Sequence, residues 1–194
     1  MDGTLTVPSH DFPYMRRQLG MAEGDLDILA YVARHNEAEA AQMNQWLWDY
    51  EVDLAENAEP ATGAADLVQH LHEQERKLAI LTRNDKKLAL ITLQAIGLLH
   101  YFDESVILGR DEAAPKPHPA GIDHILQHWQ ATSDDAIMVG DYEYDLSAGR
   151  SAGVHTLLVH PKANHWPELS DYYFEHCGGV LSSMVQGIQG IEVK

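Results

Sequence analysis

The sequence predicts an α/β protein built on a doubly wound parallel sheet, with a small helical unit inserted near its start. Four short runs of β-branched or aliphatic residues each end in a polar residue, the pattern of strands buried on both faces of a sheet. Helical patterns separate these runs, and strands alternating with helices build open parallel sheets with right-handed connections. A third observation sets the early chain apart. From about Pro8 to Glu59 there is no strand signal, only helical stretches.

Residues 1–7 open the core and residues 8–59 form the helical unit. Gly24 to Arg34 and Glu37 to Leu54 read as its helices. Leu26, Leu29, Val32 and Ala33 supply one apolar stripe, and Met43, Leu47 and Tyr50 another. The Ala-Glu-Pro-Ala-Thr-Gly stretch at 58–63 reads as a linker into residues 60–194, which complete the core. A helical lead-in packed on the core is the alternative organisation. Within the core a helix over Ala64–Gln74, with Leu67, Val68 and Leu71 on one face, precedes a strand over Leu78–Thr82. Helix Lys86–Ile96, strand Ser105–Gly109 and helix Pro119–Trp129 follow. Strand Ala136–Asp141, helix Asp145–Ala152 and strand His155–His160 come next, and Gly178 to Lys194 reads as a short terminal helix.

Of 194 residues, 45% are hydrophobic, enough for a sizeable core, and no apolar run approaches the length of a membrane span, roughly 18 residues. The start, Met1-Asp2-Gly3-Thr4, has neither the basic region nor the apolar run of a secretory signal. Cys177 is the single cysteine, which excludes an internal disulfide and a cysteine-based metal site. The formal net charge is −17, from 30 acidic and 13 basic residues. That argues against nonspecific binding of nucleic acid or an anionic membrane, both of which need clustered Lys and Arg. A cytoplasmic enzyme is the expectation. For an anionic substrate, a divalent cation and one or two placed basic side chains must make the site locally positive.

In open α/β sheets, ligands bind outside the carboxyl ends of the strands. Thr82 closes the first strand, Asp141 closes the third, and Lys116 lies in the Pro115-Lys-Pro-His-Pro119 loop after the second. A hydroxyl, an amine and carboxylates from distant segments therefore converge, a set suited to a phosphate monoester. The hydroxyl and backbone N–H groups hold phosphate oxygens, the lysine supplies a fixed positive charge, and the carboxylates hold magnesium. The prolines around Lys116 fix the backbone from which its stem starts. Gly140 permits a tight exit from its strand. Asp145, four residues after Asp141, is placed either to face the same cation or to cap the next helix.

Asp2-Gly3-Thr4-Leu5-Thr6, Leu81-Thr82-Arg83-Asn84, Lys116-Pro117 and Gly140-Asp141 with Asp145 resemble the four ordered motifs of haloacid dehalogenase-like hydrolases. The likeness runs over nearly the whole chain. It is nearest to the branch containing phosphoglycolate phosphatase-like and β-phosphoglucomutase-like enzymes. The resemblance implies a Rossmann-like core with a small helical cap inserted after the first motif. It also implies a magnesium-dependent phosphatase of a small phosphorylated metabolite, working through an aspartyl-phosphate intermediate.

By that resemblance Asp2 is the general acid and base, and its backbone carbonyl helps to bind magnesium. Thr82, with Asn84 or the Arg83 backbone nearby, binds the transferring phosphoryl group. Lys116 steadies the phosphorylated intermediate. Asp141 ligates the metal, with Asp145 close behind. A phosphomutase shares the same core residues. The family's first motif reads Asp-x-Asp-Gly-Thr with the first aspartate as nucleophile, and here x is Met1. The nucleophile and its central strand are thus expected immediately before Met1, in a longer chain. A chain that truly starts at Met1 would instead bind phosphate compounds without turnover.

Other constellations carry less. His124 and His128 stand at i, i+4, but without a third ligand they read as a surface helix pair. Trp46, Trp48 and Tyr50 read as packing within the helical unit, or as the wall of a substrate pocket. His10, Arg16 and Arg17 lie where a cap reaches a substrate, and none stands out from the others. Ser9 has no triad context.

Overall fold

The alternating pattern folds as two sets of parallel strands. A computed structural model describes residues 1–187. Strands β1 (Ile80–Leu81) and β2 (Ile107–Leu108) pair with each other. Strands β3 (Ile137–Gly140), β4 (His155–Val159) and β5 (Tyr172–Phe174) pair in that order. Gly140 lies opposite Leu158, and Val159 opposite Phe174. Residues Met1 to Thr6 run between the two sets. Leu5 packs against apolar clusters from both, and Met1 packs on the cluster that holds Ile80 and Ile107.

Helices cover both faces, as a doubly wound sheet requires. Leu81 and Leu108 meet Ile122, Ile125 and Leu126 of α6 (Ala120–Trp129) and Ala148 of α7 (Glu143–Ala152). Their neighbours in sequence, Ile80 and Ile107, point the other way. They meet Val68 of α4 (Ala64–Glu73) and Ala89 and Leu93 of α5 (Lys86–Ala95). Leu157 and Val159 pack with α4 and with Val180 of α8 (Cys177–Val185). The period of two along each strand thus feeds two separate layers. Each fully buried aliphatic side chain contributes about 1.5–3 kcal/mol relative to exposure.

Several boundaries differ from expectation. The strands are shorter than their apolar runs, and a 3-10 turn over Glu104–Val106 takes the first part of the expected Ser105–Gly109 strand. Its reason is local, since Asp103 accepts hydrogen bonds from the Ser105 N–H at 2.9 Å and hydroxyl at 2.7 Å. Strand β5 was not expected; three residues are too few for periodicity to show. The expected Gly178–Lys194 helix begins one residue earlier, at Cys177, and ends at Val185. Its last part, 188–194, lies outside the described residues.

Between residues 8 and 59 the chain forms α1 (Phe12–Gln18), α2 (Ile28–Val32) and α3 (Glu37–Glu56). Helix α1 was not expected, although Asp11 accepts from the Tyr14 N–H at 2.8 Å and Pro13 sits in the first turn, both ordinary start signals. The expected Gly24–Arg34 helix shrinks to five residues because Asp27 caps it, accepting from the Ala30 N–H at 2.9 Å. Of its predicted stripe only Val32 is buried, while Leu26 and Leu29 remain 71% and 55% exposed. Val32 joins Met15, Leu19 and Leu47 in a small separate cluster. Trp46 stacks on Tyr50 with centroids 5.4 Å apart, and Tyr14 tilts against both, so these rings pack within the segment.

This segment leaves and re-enters the α/β part at adjacent points. The Val7 N–H donates to the Glu59 carbonyl and the Ala61 N–H to the Leu5 carbonyl, each at 2.9 Å. From that neck α3 packs across α5. His124 and His128 lie exposed on α6, and His128 Nε2 approaches the Ser105 hydroxyl at 3.3 Å. Among the described residues, no helix is long and apolar enough to cross a membrane.

Candidate active site

Parallel strands present their carboxyl ends on one edge, and that edge gathers the polar residues singled out above. Thr82 follows β1, Asp141 follows β3, and Lys116 stands in the loop between β2 and α6. Thr82 is buried, and its N–H donates to the Leu108 carbonyl at 2.9 Å, extending the β1–β2 ladder. Its hydroxyl oxygen accepts from the Asn84 N–H at 3.1 Å. Asn84 also ties the two strand ends together, its carbonyl accepting from the Arg110 N–H at 3.0 Å. Arg83 is exposed, with its guanidinium carbon 4.8 Å from the centroid of the Tyr144 ring.

Lys116 is 6% exposed. Its ammonium donates to Asp145 Oδ1 at 2.6 Å and to the Leu81 carbonyl at 2.7 Å. A buried ammonium is tolerable only with such partners. The prolines on either side set its backbone, and the Lys116–Pro117 peptide bond is cis. Asp145 therefore has both carboxylate oxygens engaged, because Oδ2 accepts from the Tyr142 N–H at 3.1 Å. Asp145 takes the cap role expected of it at the start of α7, and its other oxygen faces the Lys116 ammonium.

The amino-terminal turn enters the same space. The Met1 carbonyl accepts from the Leu5 N–H at 2.8 Å, and Gly3 adopts φ of 75°. A Cβ at Gly3 would stand 2.2 Å from Asp141 Oδ2, so only glycine permits this approach. The Thr4 hydroxyl donates to Asp141 Oδ1 at 2.9 Å. Asp2 accepts from the Thr6 hydroxyl at 3.2 Å and pairs with His10 Nδ1 at 2.7 Å. The Met1 amino group lies buried nearby.

The electrostatics are uneven. Burial pushes Asp141 above the usual carboxylate range, and the negative charge of Asp145 adds to this; the amino terminus and Thr4 oppose both. Burial also raises Asp2, but the His10 hydrogen bond and charge, the amino terminus and Thr6 outweigh it, so Asp2 lies below its ordinary value. His10 is shifted up, chiefly by its hydrogen bond to Asp2, with burial opposing and Asp2 and Glu51 assisting. Of His10, Arg16 and Arg17, it is His10 that contacts a motif residue. Glu51 of α3 went unnoticed in the sequence. Burial, assisted by the charge of Asp85, raises its pKa while Arg110 and His10 lower it.

A divalent cation fits this donor set in part. Among the described residues no group of three or more His, Cys, Asp or Glu gathers tightly enough to hold an ion unaided. Magnesium needs less, keeping several waters and taking one or two carboxylates. Asp141, whose charge is penalised by burial and by Asp145, is the carboxylate that a cation would relieve most. The Asp2 carboxylate is engaged by Thr6 and His10 instead.

Comparison with known proteins agrees with this arrangement. A pyrophosphatase, PpaX, of Halalkalibacterium halodurans is 38% identical over 101 residues, covering 52% of this chain and 46% of that protein. A phosphoglycolate phosphatase of Aliivibrio fischeri is 32% identical over 106 residues, covering 55% of this chain and 46% of that protein. These alignments thus span about half the length of each curated relative. The crystal structure of a hydrolase from Pseudomonas syringae superposes with a TM-score of 0.75 at 19% identity, over 95% of this chain and 94% of that one. The family described as haloacid dehalogenase-like hydrolase matches residues 21–159, from the helical segment through β4. This chain belongs to the haloacid dehalogenase-like hydrolase family.

Proposed function

We propose that the protein is a magnesium-dependent phosphatase of a small phosphorylated metabolite, with the helical segment as a cap over the site. The observation that carries this reading is the convergence of buried Lys116 with Asp145, Thr82, Asp141 and Asp2, drawn from four distant stretches of chain. The pyrophosphatase and phosphatase relatives support the same class of chemistry.

In this reading an aspartate immediately before Met1, in a longer chain, attacks phosphorus, and the bond from phosphorus to the ester oxygen breaks. Asp2 as a carboxylic acid gives its proton to that oxygen. Asp2 as a carboxylate then takes a proton from the water that cleaves the aspartyl phosphate, releasing inorganic phosphate. His10 holds Asp2 in its carboxylate form, which suits the second half. The first half needs Asp2 protonated, and the negative charge of an arriving phosphate favours that form. The Thr82 hydroxyl, accepting from Asn84, has its own proton to offer a phosphoryl oxygen. Lys116 faces the developing charge from a fixed position. A magnesium ion held by Asp141 and the Asp2 carbonyl, with Asp145 behind, would neutralise charge on the transferring group.

The test is phosphate release from small phosphate monoesters by the protein with its upstream residues in place. Lys116→Ala and Asp141→Asn should each lower the magnesium-dependent rate at least about tenfold. Loss of neither would sink the assignment. A phosphoryl group moved within the substrate, without inorganic phosphate, would mark a mutase.

A further inference from the structure

We propose that Tyr142, Tyr144 and Trp166 form an aromatic platform beside the phosphate site that receives the substrate's leaving group, and that this leaving group carries a planar ring. The proposal rests on the hydrolase reading above and adds the class of substrate. Tyr142 and Tyr144 follow Asp141 at the carboxyl end of β3, and Trp166 lies in the loop after β4, the neighbouring strand. Arg83 follows Thr82 at the end of β1. Parallel pairing puts all of these on the edge that carries the phosphate-binding set.

The rings touch in series. Tyr142 meets Tyr144 edge-to-face with centroids 5.2 Å apart, and meets Trp166 in the same manner at 5.2 Å. The Arg83 guanidinium lies over Tyr144. Side chains of this area usually bury themselves, yet Tyr142 stays 49% and Tyr144 38% exposed. An edge-to-face contact takes the edge of one ring and one face of the other, and each ring has two faces, so flat surface remains on the exposed sides of Tyr142 and Tyr144 for a third ring to stack on.

The platform is also anchored. The Tyr142 N–H donates to the same Asp145 carboxylate that holds Lys116, so the first ring springs from the scaffold of the phosphate site rather than from a free loop. Arg83 adds positive charge in a chain of formal net charge −17, and a guanidinium on an aromatic face suits a planar group that carries polar or anionic substituents. Stacking selects for flatness rather than for one ring. A nucleobase, a pyridine or a phenol would be retained, and a short acyclic ester would gain nothing.

The experiment is calorimetric binding of phenyl phosphate and of glycerol 3-phosphate to this chain with magnesium present. Phenyl phosphate should bind about tenfold tighter, the scale of one aromatic stacking contact. Tyr142→Ala and Trp166→Ala should remove that margin and leave glycerol 3-phosphate within about twofold. Tyr142→Leu, which keeps bulk without a flat face, should do the same if the alanine variant fails to fold. Equal affinity of the two probes for the unaltered chain overturns the platform and leaves the phosphate site standing, and so does equal weakening of both by the aromatic variants. Binding of neither probe to the folded chain overturns the platform, while the hydrolase reading stands or falls on phosphate release.

Discussion

Leu157 and Leu29 are chemically the same and structurally opposite. Leu157, in β4, is 1% exposed and packs among side chains of α4 and α8. Leu29, in α2, is 55% exposed. The contrast holds for their surroundings. The α/β part closes three apolar clusters over both faces of its strands, whereas residues 12–56 close one, built on Met15, Leu19, Val32 and Leu47. Burial on that scale stabilises one part and leaves the other dependent on docking through α3 and α5. Lys116, Asp145 and Asp141 stand on the well-buried side, where geometry is held firmly. The helical side meets that site through His10, which pairs with Asp2.

The largest effect should come from the buried ion pair. Lys116→Ala leaves Asp145 without its ammonium in a site that already penalises negative charge, and should cost about 3–5 kcal/mol in urea unfolding. A loss under about 1 kcal/mol would mean that the strand edge is wetter than the packing implies. Next, Leu157→Ala should cost about 2–5 kcal/mol and lower one cooperative transition for the whole protein. Leu47→Ala, buried in the helical cluster, should instead open residues 12–56 alone, seen as fast amide exchange there with α4 to α8 still protected. Equal loss of protection everywhere would erase the contrast between the two regions.

The neck between the regions makes a smaller, pH-dependent contribution. His10 titrates above its ordinary value, so its pairing with Asp2 stabilises fully below about pH 6.5 and is lost as pH rises through the raised value. Asp2 titrates below its ordinary value, so its share is present above about pH 3.9 and disappears as pH falls through the lowered one. His10→Asn should flatten the melting temperature against pH on the alkaline side. Asp2 is 39% exposed at its side chain, so solvent screening keeps the change to about 1 kcal/mol or less. Smallest of all, Leu29→Gln should shift stability by less than about 0.5 kcal/mol. A larger loss would show that α2 buries this face against something.

Legibility followed the same division. Helices α4 to α7 sit within two residues of their expected ranges because apolar periodicity and tertiary burial agree there, as at Leu67 and Val68 of α4 or Ile122 and Ile125 of α6. In the helical segment they disagree. The apolar spacing of Leu26, Leu29, Val32 and Ala33 looks like a core stripe, but Asp27 starts the helix late and only one of the four finds a partner surface. Thr82, Lys116 and Asp141 were legible because each sits beside a strand end in a recognisable motif. His10 and Glu51 were not, since neither belongs to a local pattern; His10 meets Asp2, eight positions away, only once the amino-terminal turn has folded.

The sequence alone determined the fold class, the order of strands and helices, the ordered motifs and their charge types, since periodicity and motif spacing are written in neighbouring residues. The tertiary structure decided which carboxylate holds Lys116, that Thr4 bonds Asp141, that His10 pairs with Asp2, and that Tyr142, Tyr144 and Trp166 meet ring to ring. Those outcomes depend on distances between residues up to 137 positions apart, as for Thr4 and Asp141. Such distances are set by how helices pack on a twisted sheet, and no stretch of neighbouring residues encodes them.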